Sequence, residues 1–407
     1  MAVADWKPAK LDELGFVGRG KSRHRPRNAA FLYGGRYPFF QTGDIKAANF
    51  YLTEYSQTYS EEGLAQSKLW KPGTLCITIA ANIAESAILA IAGCFPDSVV
   101  GFVADPDKAD VRFIKYYMEI LKLRMQNVSH GATQDNLSLD KLLSFDFLVP
   151  SLPVQRRIAG ILSAYDELIE NSQRRIKILE AMARALYREW FVHFRFPGHE
   201  SVPRFPSPLG EIPQGWEVKK LATVAAVNRA QINARNAPDE LHYIDISSVS
   251  PGQIETVTTF AFADAPGRAR RIVQHGDVLW SCVRPNRRSH AQVMHPEPDT
   301  IASTGFAVLT ATKVPFTFLY FATTTDNFVA FLTNNATGAA YPAVTATTFE
   351  KADLVIPPLP LLKQFADATI PMAEQIHRLQ RQIQTLRHTR DLLLPRLLSG
   401  QIALQEH

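Results

Sequence analysis

The stretch that decides the fold is Pro150–Phe196, PSLPVQRRIAGILSAYDELIENSQRRIKILEAMARALYREWFVHFRF. After Pro153 it holds no proline before Pro197 and no glycine except Gly160. It therefore predicts one helix of about 39 residues, which at 1.5 Å per residue is ~58 Å. Apolar side chains at Ile158, Leu162, Tyr165, Ile169, Ile176, Leu179, Ala183, Leu186 and Trp190 step alternately by four and three, with Ser172 as the polar exception. Such a heptad stripe requires a partner helix. The same chain supplies it: Phe365, Met372, Ile376, Leu379, Ile383, Leu386, Leu393 and Leu397 keep the step, with Thr369 and Arg390 as exceptions. The two stripes are copies, since 365 minus 158 and 397 minus 190 are both 207.

The duplication extends through the chain. Trp6 corresponds to Trp216 at an offset of 210, Asp44-Ile45 to Asp245-Ile246 at 201, Gly73 to Gly276 at 203 and Gly101-Phe102 to Gly305-Phe306 at 204. Tyr116 matches Tyr320 at 204, and Gly131-Ala132 matches Gly338-Ala339 at 207, as does LVPSLP with VIPPLP. Small drifts of this kind are what surface-loop insertions produce. Each copy reads as a mixed α/β globular part followed by a long helix. Thr74–Ala80, Ser98–Ala104, Val278–Val283 and Ser303–Thr310 are short, β-branched segments that read as strands. Val111–Asn127 and Thr317–Thr333 have helical spacing. Pro371 is expected to start the regular part of the second helix or to kink it, and Pro395 to act likewise near its end. The boundaries are 1–150 and 216–357 for the globular parts, 151–196 and 358–407 for the helices, and 197–215 for a Pro/Gly-rich linker.

A chain of 407 residues with 46% hydrophobic content can bury more than one core, and its net charge of +5 permits a nucleic-acid partner without requiring one. Three cysteines with no C-x-x-C pair argue against a disulfide framework and for a reducing cytoplasm without a zinc site. The first residues lack a signal-peptide pattern. The longest apolar run, Leu75–Phe95, carries Asn82 and Glu85 near its middle, so it is buried strand and not a membrane span.

Several motifs invite a catalytic reading. Gly15–Ser22, GFVGRGKS, fits G-x-x-x-x-G-K-[ST], but a phosphate loop needs a strand before it and a helix after it. Here KPAKLDEL precedes the motif, Pro26 follows it, and the repeat partner Asn228-Arg229-Ala230 has no glycine. Phe16–Gly20 mimics a methyltransferase F-x-G-x-G loop, yet no N-P-P-Y or D-P-P-Y is present to hold a flipped base. Glu217-Val218-Lys219 reads as an exposed strand start, and the histidines show no ligand spacing, so no metal is assigned.

The basic clusters carry more. Lys21, Arg23, Arg25 and Arg27 surround His24 in one loop, and Arg268, Arg270 and Arg271 form a second group. The third, RPNRRSH, sets Arg284, Asn286, Arg287, Arg288 and His290 directly after a strand. Guanidinium forks suit guanine O6/N7 and an amide suits adenine N6/N7. The counterpart loop Ala80–Glu85 keeps Asn82 and no arginine, so two equivalent loops carry different readers.

With these residues in view, the chain resembles the specificity subunits of type I restriction-modification systems over essentially its whole length. The carriers are LVPSLPVQRRIAGILSAYDELIENSQRRIKILEAMARALYREWFVHF, LGEIPQGWEVKKL at 209–221 and LLLPRLLSGQI at 392–402. One departure is Gln155, replaced by Leu362 in the second copy with Gln364 displaced by two, so the two helix starts need not be alike. The resemblance implies a non-catalytic chain of two target-recognition domains joined by two antiparallel coiled-coil helices with approximate two-fold symmetry. Each domain would read half of a split double-stranded DNA site. Two modification subunits carrying S-adenosylmethionine would dock on the chain, and restriction subunits would supply ATP- and magnesium-dependent chemistry. On this reading Lys21, Arg23, Arg25 and Arg27 position phosphates, while Asn82, Arg284, Asn286, Arg287 and Arg288 read bases.

Overall fold

The computed structural model describes residues 6–130, 137–233, 235–402 and 404. The repeat pair at Gly131-Ala132 therefore lies outside the described residues on its first side. The chain divides into two compact units, Met1–Ser172 with Gln382–His407, and Gln173–Arg381. Each unit takes a share of both long helices.

In the first unit, β1 (Gly15–Arg19), β2 (Tyr51–Leu52), β3 (Leu75–Thr78), β4 (Ser86–Leu89) and β5 (Val99–Ala104) form a sheet ordered β1-β5-β3-β4-β2. All neighbours are antiparallel except β2 on β4. The apolar runs of β3 and β4 are buried along their whole length. Helix α1 (Val111–His130) sets Phe113, Ile114, Met118 and Leu121 against Leu75, Ile77 and Phe102 of the sheet. The same core takes Ile158, Ala159 and Leu162 from the start of α2 (Leu152–Tyr187) and Leu393, Leu397 and Leu398 from near the chain end.

The second unit holds β6 (Ala225–Val227), β7 (Glu240–Ile244), β8 (Thr258–Ala261), β9 (Ala269–Ile272), β10 (Val278–Ser281), β11 (His290–Gln292), β12 (Thr300–Ser303) and β13 (Phe306–Ala311). One sheet runs β6-β13-β10-β11, all antiparallel, which is the order of β1-β5-β3-β4 in the first unit. A second sheet runs β8-β7-β12-β9. In both units an antiparallel ribbon ties the beginning of the globular part to its end: Lys7–Ala9 pairs with Phe147–Val149, and Glu217–Lys220 with Asp353–Ile356. The duplicated sequence thus gives a duplicated topology.

Where sequence predicts one helix over Thr317–Thr333, the chain forms α3 (Phe316–Thr323) and α4 (Asp326–Asn334). Three consecutive threonines cause the break. The Thr323 and Thr324 hydroxyls turn back onto preceding carbonyls, and Thr325 caps α4 by accepting the Phe328 N–H at 3.2 Å. Helix α5 (Leu359–Leu398) corrects a second expectation: it begins well before Pro371 and is continuous through Pro371 and Pro395. Each proline removes one helical hydrogen bond, and burial of the stripe on both sides of Pro371 holds the helix together.

In the second unit Ala183, Leu186, Tyr187 and Trp190 share a core with Leu361, Leu362, Phe365 and Met372. Within each unit, then, one end of α2 meets the opposite end of α5, which is antiparallel pairing. The remaining stripe positions, Tyr165, Ile169, Ile176, Leu179, Ile376, Leu379, Ile383 and Leu386, are all buried or half-buried. The polar exceptions are accommodated. Ser172 donates to the Leu168 carbonyl at 2.7 Å, Thr369 to that of Phe365 at 2.8 Å, and Arg390 pairs with Asp166. Past Tyr187 the helix widens into a single π turn, Arg188–Val192, and Phe191 packs edge-on against Phe318 and Phe365.

The helix starts differ as the Gln155-to-Leu362 change suggests. Gln155 is buried, donates to the carbonyls of Lys108 and Pro150 and accepts the Asp110 N–H. Leu362 instead enters the apolar core, and Gln364 is exposed. The 197–215 segment contains a small hairpin, Arg204–Ser207 with Gly210–Pro213, whose Ile212 is buried beside Phe196 and Trp216.

Candidate nucleic-acid interface

Strand β10 is buried throughout, so the loop that follows it is where its chain first reaches solvent. That loop is a turn of 3-10 helix, Pro285–Arg287, flanked by Arg284 and Arg288 in the left-handed region at φ 51° and 56°. Side chains other than glycine, asparagine or aspartate rarely adopt this conformation, and it costs of order 1–3 kcal/mol where the surroundings enforce it. The enforcement is visible. The Ser281 N–H bonds the Ser289 carbonyl at 2.9 Å, and the Arg284 N–H bonds the Pro342 carbonyl at 2.7 Å.

The equivalent loop of the first unit has the same construction. Thr78 N–H bonds the Glu85 carbonyl at 2.9 Å, and Ala81 and Ala84 take left-handed conformations at φ 63° and 60°. Ala81 stands where Arg284 stands, and Ala84 where Arg288 stands, with one residue more between the closing pair in the second copy. The backbone device is conserved between the halves while its side chains are exchanged.

The structure distributes the nominated residues unevenly. Asn286 and Arg287 are exposed, and their side chains make no hydrogen bond or ion pair among the described residues. Arg284 lays its guanidinium over the Tyr341 ring, 4.6 Å from the centroid, and reaches the Ala340 carbonyl. Arg288 is paired with Asp326 at the start of α4. Asn82 is half-buried and accepts from Lys46 Nζ at 3.3 Å, so its amide nitrogen is the group left for a base.

In the first basic loop, Lys21 and Arg23 point to solvent, whereas Arg25 and Arg27 are engaged. Arg25 donates to the carbonyls of Ser22 and His24, and Arg27 forks onto Asp97 at 2.9 and 3.0 Å. Half of this group is therefore occupied within the protein, although an exposed pair such as Arg27–Asp97 is weak enough for a phosphate to displace. Arg268 is likewise tied to Asp245 and Tyr243.

Tyr341, 68% exposed, was not singled out by the sequence and sits at the centre of the second loop pair. The available signal was its place in GAAYP, which opens on the repeated Gly338-Ala339 pair.

The P-loop-like motif forms no phosphate cradle. Gly15–Arg19 is strand β1 paired with β5, the Gly20 and Lys21 amides are spent on Val99 and Phe95 carbonyls, and no α-helix follows directly. Its glycines serve close packing: a Cβ on Gly15 would lie 2.3 Å from the Val103 oxygen, and one on Gly20 2.3 Å from the Phe95 oxygen. Among the described residues no helix is long and apolar enough to cross a membrane.

Comparison with known proteins places this architecture. The family model for the type I restriction modification DNA specificity domain matches residues 4–181. The type I restriction enzyme MjaIX specificity subunit of Methanocaldococcus jannaschii is 24% identical over 99% of this chain and 94% of its own. The HindI specificity subunit of Haemophilus influenzae is 21% identical over 98% of this chain and all of its own. The crystal structure of a type I restriction-modification S subunit from M. genitalium shares the fold, with a TM-score of 0.65 at 14% identity over 98% of this chain and 97% of that one. The duplicated architecture and these likenesses are those of a DNA-recognition protein. Residues 4–181 match the type I restriction modification DNA specificity domain, and over nearly its whole length the chain is similar to type I restriction enzyme specificity subunits.

Proposed function

We propose that each globular part reads one half of a split DNA target and that the paired helices fix the separation of the halves. The observation that carries this reading is the matched turn after β3 and after β10, with left-handed residues at equivalent places and different side chains at the tip. Two copies of one backbone device with unlike side chains suit two unlike base sequences. Asn286 and Arg287 read bases in the second half and Asn82 in the first, while Lys21 and Arg23 hold phosphates.

Modification subunits dock along the helices, bringing S-adenosylmethionine, and restriction subunits bring ATP and magnesium, all in the cytoplasm. The apolar pair Ile178 and Met182, 52% and 51% exposed and one turn apart on α2, is the kind of surface such docking covers.

The test lengthens both long helices by seven residues in register. This adds about 10.5 Å of helix, or roughly three base pairs at 3.4 Å each. Methylation mapping should find the same half-sites farther apart, and an unchanged gap would refute the ruler.

A further inference from the structure

We infer that His275, His295 and Glu374 form a binding site for a divalent cation of the zinc class, with His377 as the nearest fourth ligand. The first three present ligand atoms within 4.8 Å of one another. They come from three places in the second unit: the turn between β9 and β10, the segment leaving β11, and α5. Residues so far apart in sequence show no ligand spacing, which is why the histidines gave no metal signal on reading the chain.

The arrangement is built, not incidental. The Gly276 N–H bonds the Val293 carbonyl at 2.8 Å and clamps the two segments together. His295 adopts φ 44°, a left-handed conformation that histidine holds only under constraint, and its ring lies 4.4 Å from that of His275. His275 Nδ1 accepts the His295 N–H at 3.2 Å, a bond that holds the two rings together and that Nδ1 would exchange for the ion on ligation. His295 Nε2 lies 2.8 and 2.9 Å from the two Glu374 oxygens, giving one imidazole and one carboxylate already converged. Glu374 and His377 are spaced i and i+3, on one face of α5, and the His377 ring is 5.5 Å from that of His295.

Zinc–ligand bonds are about 2.0–2.2 Å, so small rotations of these exposed or half-buried side chains would close the set around an ion. Two or three imidazoles with one carboxylate suit zinc, and the absence of thiolate distinguishes the site from a cysteine finger. Glu374 supplies the negative charge, and the nearby Arg381–Glu297 pair is balanced. A cation here would join the sheet of the second globular part to α5 within that unit. The inference does not depend on the DNA-reading proposal.

The experiment uses the untagged full-length chain, stripped with EDTA and titrated with zinc chloride against a chromophoric chelator. One equivalent should bind and raise the thermal midpoint. The double variant His295→Ala/Glu374→Gln should lose at least about 10-fold in affinity, and His388→Ala should leave affinity unchanged. Loss in His377→Ala supports the fourth ligand, and full retention removes it. Cobalt added to the wild-type chain gives a second readout independent of variant folding, because a tetrahedral site produces strong visible absorption. Absence of both zinc binding and the cobalt spectrum in the wild type, or binding undiminished in the double variant, would overturn the site.

Discussion

Asp166 of α2 accepts the Tyr116 hydroxyl on one carboxylate oxygen, at 2.5 Å, and the Arg390 guanidinium of α5 on the other. One acid thereby joins the globular part of the first unit to both long helices. It also explains how an arginine is tolerated in an apolar stripe: Arg390 keeps 27% of its side chain exposed while its head group is neutralised by Asp166, itself 14% exposed. Arg390→Ala should cost about 2–3 kcal/mol, somewhat less than for a fully buried pair, because a half-buried carboxylate is left unpaired. Denaturant unfolding of both single variants and of the double with Asp166→Ala checks this. Strictly additive losses would contradict the pairing.

The left-handed turns make a prediction of opposite sign. Ala81 is exposed at φ 63°, so Ala81→Gly sacrifices little packing and relieves the strained conformation. The thermal midpoint should rise, by the equivalent of about 1 kcal/mol. A destabilised variant would mean the turn is not strained as described.

Acid should act on the second unit through His290 and Asp277. His290 is buried, its Nδ1 has no hydrogen-bond partner among the described residues, and burial followed by the charges of Arg184 and Arg288 pushes its pKa down to about 4. Its folded value lies below its ordinary one, so protonation favours unfolding. The contribution, about 3 kcal/mol at most, is fully present above pH ~6.5 and is lost as pH falls through 4. Asp277 works oppositely. Burial raises its carboxyl to about 6 against the hydrogen bonds from Thr310 and Gln274, so its contribution is present in acid and lost as pH rises through 6. Between pH 7 and 5, Asp277→Asn should steepen the fall in thermal midpoint, and His290→Gln should flatten or reverse it. Parallel shifts of both variants would contradict the assignment.

The sequence made the helices legible because a heptad stripe survives one or two polar positions, and because both copies carry it in the same register. The matched strands were legible for a similar reason: β3, β5, β10 and β13 are short apolar runs bounded by turn residues. The phosphate-loop match could be set aside from its flanking residues, but what its glycines do instead could not be read there. Gly15 and Gly20 are small because neighbouring carbonyls crowd them, which only the sheet pairing shows. Arg25 and Arg27 looked free because their acceptors, local carbonyls and Asp97, are set by the fold of the loop. Tyr341 escaped notice because an isolated aromatic in a Gly/Ala/Pro segment has no periodicity to mark it.

Phosphate and base contacts should separate by their response to salt and sequence. Lys21→Ala should weaken binding to all DNA sequences alike and reduce the slope of log affinity against log salt by about one. Arg287→Ala should cost about 1–3 kcal/mol on the cognate target and much less on others. If the two variants behave alike, Arg287 touches only the backbone.

The most direct measurement maps N6-methyladenine in cells expressing this chain with its modification partner, comparing wild type with Arg287→Ala. The account predicts that one half of the recognised sequence becomes degenerate at a single position while the other half and the gap between them stay as they were. Degeneracy appearing in both halves, or a general loss of methylation with the motif intact, would contradict two independent reading domains.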